Sequence, residues 1–167
     1  EGTLVARGTS TSTITFTSSA ASPDAGDWGF IKFEDSSTDA TFDGNGDYVS
    51  GSIFEYATIE YAGGLSNPAV WADSSAPFFN NAIVRNNAYT GISSTNSDIR
   101  ITNSTVSYNN IGVSWHNGAG GIDVQDASNA IISNNTITNN QGSGGLLIST
   151  LWIRLAQGAS ASVMNNT

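Results

Sequence analysis

The chain has 167 residues, enough for one domain with a core, and its 14 acidic against 5 basic residues give a net charge of -9. That balance excludes nucleic acid and anionic membrane surfaces as partners, since both repel an acidic chain. The absence of Cys excludes disulfide frameworks, thiolate metal sites and thiol catalysis, and no apolar run is long enough for membrane insertion.

With only 11% charged residues, solubility rests on Gly, Ser, Thr and Asn, as in many extracellular β-proteins. The expected localisation is secreted, extracellular or cell surface. No stretch has helical periodicity, and 18 Gly and 3 Pro are spread along the chain, so the backbone reads as strands and turns. In chain order, "LVARGT", "TITFTS" and "GFIKFED" show strand alternation at irregular spacing. The loop "DGNGDY" follows, with Asp43, Asn45 and Asp47 at the alternating positions by which short acidic loops wrap Ca²⁺. Tyr48 stands where such a loop uses Gly, and Phe54 where it uses a bidentate Glu. Ca²⁺ is thus the one cofactor the sequence suggests, and a turn between strands explains the same residues.

From here on the chain repeats. The segments "FFNNAIVRNN", "ITNSTVSYNN", "ISNNTITNN" and "VMNNT" align with Asn80, Asn103, Asn134 and Asn165 in one row, at gaps of 23, 31 and 31 residues. Ile83, Val106 and Ile137 then form an aliphatic row, and Asn86, Asn109 and Asn140 a second asparagine row. "SIFEYATIEYA" fits the same frame, with Tyr56, Ile59 and Ala62 in those rows. After each unit comes a short apolar strand: "AVWAD", "GISST", "GIDVQ" and "GLLIS". The longer gaps resolve into a unit of about 23 or 24 residues with one loop inserted, as such repeats tolerate. "GVSWHNGA" supplies one insert, and the surplus around "LWIRLAQGAS" the other.

A unit of this length cannot bury its apolar row alone, so coil must stack on coil about 4.8 Å apart. Asn suits the corners because it tolerates the left-handed conformation and can hydrogen-bond its neighbour in the next coil, forming an asparagine ladder. The expected fold is all-β: a single-stranded parallel solenoid of roughly six or seven coils, with residues 1–167 as one domain. No cap segment is visible at either end, which predicts a segment of a longer chain or end-to-end self-association.

The opening "GT…ITFTS…AGDWGFIKF", the segment "YVSGSIFEYATIEYAGG" and the later "N-x-T-[IV]-[ST]" and "NN…GI" units resemble the right-handed parallel β-helix repeat proteins of pectate-lyase-like fold. The resemblance covers nearly the whole chain and implies a right-handed β-helix. It does not imply one activity, because that fold carries lyases, hydrolases, phage spikes and adhesins.

Alternation puts Val70, Ile92, Ile122 and Leu146 inward, with Trp71, Ser93, Asp123 and Leu147 as an outward row. Asp73, Thr95, Gln125 and Ser149 form a second outward row. With Trp115 and His116 from the inserted loop, Trp71, Asp73 and Asp123 make a candidate carbohydrate patch. Aromatic rings cover apolar sugar faces while carboxylates and amides bond hydroxyls. A hydrolase would need two flanking carboxylates, for which Asp73 and Asp123 are the candidates. A lyase would need a basic residue, and Arg85 and Arg100 fall in other rows. The three N-x-[ST] triplets at Asn103, Asn134 and Asn165 are explained by the repeat itself. Thr105, Thr136 and Thr167 stack as an ice-binding face would require, with Ala82 breaking the row. The favoured reading is a noncatalytic surface or structural module; the alternative is a carbohydrate-binding or polysaccharide-degrading domain.

Overall fold

The computed structural model describes residues 2–110, 120–141 and 151–167, apart from the side chain of Ser128. Three strands open the chain: β1 (Val5–Arg7), β2 (Ile14–Phe16) and β3 (Ile31–Phe33). A hairpin of β4 (Thr41–Phe42) and β5 (Tyr48–Ser50) follows. Then the three-strand pattern recurs as β6 (Ile53–Glu55), β7 (Ala57–Glu60) and β8 (Val70–Asp73), and again as β9 (Phe78–Asn80), β10 (Ile83–Arg85) and β11 (Ile92–Thr95). The last strands are β12 (Arg100–Thr102), β13 (Thr105–Ser107), β14 (Ile122–Ser133), β15 (Thr136–Thr138) and β16 (Leu151–Met164).

Outside the antiparallel β4–β5 hairpin, each strand pairs in parallel with its counterpart one turn of the chain away, which is the signature of a solenoid. β1, β6, β9, β12 and the end of β14 stack as a first face. A second face is made of β2, β7, β10, β13 and β15. β3, β8, β11 and the start of β14 form the third. β14 runs from the third face into the first without ending, and β16 pairs along its whole length with register shifts around Ala127. The expected parallel all-β architecture is therefore observed.

The core is a set of stacked inward columns. Phe54, Phe79, Ile101 and Ile132 fill the first face, and Ile59, Val84, Val106 and Ile137 the second. Phe54 and Phe79 stack with centroids 5.0 Å apart and planes 21° from parallel. Each such side chain contributes about 1.5–3 kcal/mol on burial, so the columns supply the main driving force for coiling. The hairpin lies over the first face, where the Phe42 ring meets the Phe78 ring edge-on at 5.1 Å.

Corners are built by pairs of residues with divided labour. One residue takes the left-handed conformation, as Asn81, Asn103, Asn134 and Asn165 do with φ between 52° and 57°. Its successor points inward and stacks. Asn109 shows the pattern: its Oδ1 accepts from the Asn87 backbone N–H at 3.3 Å and the Asn87 side chain at 2.8 Å. Its Nδ2 donates to the Val84 carbonyl at 3.0 Å and to Asn140 Oδ1 at 2.9 Å. Asn135 and Asn166 repeat these bonds at the other corner. The same amide explains the small residue at the head of β11: a Cβ on Gly91 would lie 2.8 Å from Asn109 Nδ2.

Two of the sequence registers need correction. Asn81, Val84 and Asn87 occupy the rows expected for Asn80, Ile83 and Asn86, because Asn80 pairs with Thr102 and Ile83 with Thr105. Each "NN" doublet permits either register, and inward packing of Val84, which is fully buried, selects one. The second correction concerns "LWIRLAQGAS", expected as an inserted loop. It is strand β16, with Leu151 opposite Ile122 and Trp152 opposite Asp123. "GLLIS", with Leu146, Leu147 and Ser149, lies outside the described residues. Both segments alternate apolar residues, but only β16 runs directly into the corner at Asn165, which fixes its pairing with β14.

Candidate functional site

On the third face the outward row reads Trp71, Ser93, Asp123, Trp152, one residue from each successive strand. Two bulky aromatic residues thus bracket two small ones. The next outward row is Asp73, Thr95, Gln125 and Arg154. These rows form a surface groove of about 550 Å³, whose lining includes Trp71, Ser93, Thr95, Asp123, Gln125 and Trp152. Asn67 and Tyr89 contribute from loops that lead into the third face. Tyr89 is held by a hydrogen bond from its hydroxyl to Ser66 Oγ at 2.8 Å.

Trp71 is fixed from behind. Lys32, its partner on β3, places its ammonium 4.5 Å from the indole centroid, and the Phe30 ring lies 6.4 Å away. Lys32 also contacts Glu34 at 3.0 Å and Asp73 at 3.6 Å. The hydrogen bond to Glu34 is the main reason its ammonium titrates above the ordinary lysine value. Trp152 is 38% exposed and offers its ring to solvent.

Asp123 sits between the two indoles and is only 6% exposed. Gln125 donates to its Oδ2 at 3.0 Å, while its Oδ1 is buried without a hydrogen-bond partner. Burial is the dominant influence and raises its carboxyl above the ordinary aspartate value, against opposing contributions from Gln125 and Arg154. A buried carboxylate oxygen with no donor is expensive, and such groups collect where a protein meets a ligand. Arg154 donates to Asp126 at 2.8 Å and to Gln125 at 3.3 Å.

Of the candidate residues, the structure brings Trp71 and Asp123 into the groove. Asp73 falls in the adjacent row, held by Lys32, and Asp123 is the one carboxylate among the described residues that line the groove. Trp115 and His116 lie outside the described residues. Sequence reasoning missed Trp152 and Arg154, placing Leu147 and Ser149 in their rows; "LWIR" matches "VWAD" on β8, but alternation alone does not choose it over "GLLIS".

Asp43, Asn45 and Asp47 are elsewhere, in the turn joining β4 to β5. Asp43 Oδ1 accepts the backbone N–H groups of Asn45 and Asp47, both at 2.9 Å, and these bonds hold its carboxyl below the ordinary value, Asp47's first. The turn is docked on the first face by Arg100, which donates to the Gly46 carbonyl at 2.8 Å and stacks 3.7 Å above the Phe42 ring. No group of three or more His, Cys, Asp or Glu among the described residues is arranged to hold a metal ion. On the second face the threonine row is Thr15, Thr58, Ile83, Thr105 and Thr136, interrupted by Ile83 rather than by Ala82, and Thr58 is only 7% exposed.

The family model for right-handed β-helix regions matches residues 40–167. The chain belongs to the right-handed β-helix family. Searches against curated proteins and solved structures found no match. The function of this β-helix must therefore be argued from its groove. Among the described residues no helix is long and apolar enough to cross a membrane.

Proposed function

We propose that this β-helix is a noncatalytic module of the cell surface or of a secreted protein that binds polysaccharide along its third face. The observation that carries the reading is the row Trp71, Ser93, Asp123, Trp152, in which two indoles flank a recessed carboxylate. The indoles lie three rungs apart, about 14 Å at the spacing of paired strands, which suits a short stretch of glycan lying along the solenoid axis. Indole faces cover the apolar faces of sugar rings, and Thr95, Gln125 and Asn67 supply hydroxyl and amide partners. The asparagine ladder serves this role by stiffening the scaffold, so that the row keeps its spacing without a ligand.

Binding rather than cleavage is favoured because hydrolysis requires a pair of carboxylates and the described groove lining holds one. The test is affinity electrophoresis of the wild-type protein and of Trp71→Ala and Trp152→Ala through gels containing a panel of polysaccharides, with reducing ends assayed in parallel. Retardation by at least one polysaccharide is expected, weakened by about 1–2 kcal/mol in each variant, with no new reducing ends. Absence of retardation across the panel overturns the polysaccharide reading; new reducing ends overturn the noncatalytic one.

A further inference from the structure

We infer that the ligand of the third-face groove is a neutral glycan, and that Asp123 selects it by accepting sugar hydroxyl groups and repelling anionic chains. This deepens the polysaccharide reading and rests on it. The groove contains one buried acceptor that the protein leaves unsatisfied, Asp123 Oδ1. Asp123 lines the groove and its carboxylate, short of one donor, can accept a sugar hydroxyl, whereas a uronate carboxylate or a sulfate brings no additional donor and sets a second negative charge against the first.

The groove lining holds one cation among the described residues, Arg154, and it already has a carboxylate partner, as does Lys32 beside Trp71. Arg154 is paired with Asp126 at 2.8 Å, and Lys32 with Glu34 at 3.0 Å and Asp73 at 3.6 Å, while its ammonium covers one side of Trp71. The net charge of -9 acts in the same sense at longer range. Burial of Asp123 makes its own charge hard to solvate, so a second anion beside it is more unfavourable than at an open surface. An uncharged chain meets none of these penalties and keeps the aromatic contacts.

Isothermal titration with a neutral polysaccharide and with its uronic-acid-bearing counterpart tests the inference at low ionic strength. The wild type is expected to bind the neutral chain about tenfold or more tightly than the acidic one, and Asp123→Asn, which keeps the shape but removes the charge, to narrow that ratio. Circular dichroism and the denaturation midpoint establish that the variant is folded, and the wild-type comparison stands without it. A wild-type preference for the acidic chain, or a ratio unchanged in Asp123→Asn, overturns the inference. If the acidic chain binds best and Trp71→Ala abolishes that binding, the polysaccharide reading survives while neutral selectivity falls. If neither chain binds, the polysaccharide reading itself falls.

Discussion

Asn109 and Asp123 are both buried polar side chains on stacked strands and turns of one solenoid, and they differ in how their hydrogen bonds close. Asn109 points inward, and both its amide oxygen and its amide nitrogen are satisfied by neighbours one coil away on either side. Asp123 points outward, and one of its oxygens has no partner. The corner amides of the scaffold are satisfied, whereas the Asp123 carboxylate, between Trp71 and Trp152, keeps one buried oxygen without a donor. The difference singles out the proposed site better than residue type does, since both side chains arise from the same repeat.

The comparison predicts opposite consequences for removing the two groups. Asn109→Ala removes the four side-chain bonds and takes their side-chain partner from the Val84 carbonyl and the Asn87 backbone N–H, while Asn87 Nδ2 keeps the Ile59 carbonyl and Asn140 Oδ1 keeps the residue-109 backbone N–H. It is expected to destabilise the fold by about 4 kcal/mol, measured by chemical denaturation. A loss below about 1 kcal/mol would show that the buried stack is not structural.

Asp123→Asn is expected to stabilise the protein near neutral pH by about 1 kcal/mol while weakening glycan selectivity. The pH dependence follows from the raised folded-state value of Asp123. Relative to the unfolded chain, whose aspartate titrates near 3.8, the favourable contribution of protonated Asp123 is fully present below that value and is lost as pH rises through the folded-state value. The stability advantage of Asp123→Asn over wild type should therefore grow as pH increases across this window, and a constant difference would mean that Asp123 is solvated normally.

Ser94 provides the smallest and sharpest contrast. Its hydroxyl is also buried and unpartnered, but it points into the core column between Ala72 and Val124 rather than into the groove. Ser94→Ala should raise stability by up to about 1 kcal/mol at every pH and leave glycan binding unchanged. An effect on binding would break the distinction between an inward and an outward orphan group.

Much of the fold was legible because a solenoid repeats its constraints: the aliphatic and asparagine rows recur at a spacing that only stacked coils satisfy. What escaped was register. In "FFNN" and "RNN" either Asn can take the left-handed corner, and only the inward packing of Val84 decides, a contact that one sequence does not display. The row through Trp71, Ser93 and Asp123 was readable from alternation alone. Its fourth member was not, because "GLLIS" and "LWIRL" are equally good strands, and the choice depends on how β16 continues to Asn165. The orphan oxygen of Asp123 was invisible for a different reason, since hydrogen-bond satisfaction is a property of three-dimensional neighbours.

The central claim, that Asp123 is left short of a donor because a ligand completes it, is tested most directly by ¹³C NMR of its carboxyl group during titration with a neutral oligosaccharide. A shift of that resonance that saturates with binding, and is absent in Trp71→Ala, is the predicted result. Saturable binding that leaves the Asp123 carboxyl unmoved would contradict the account.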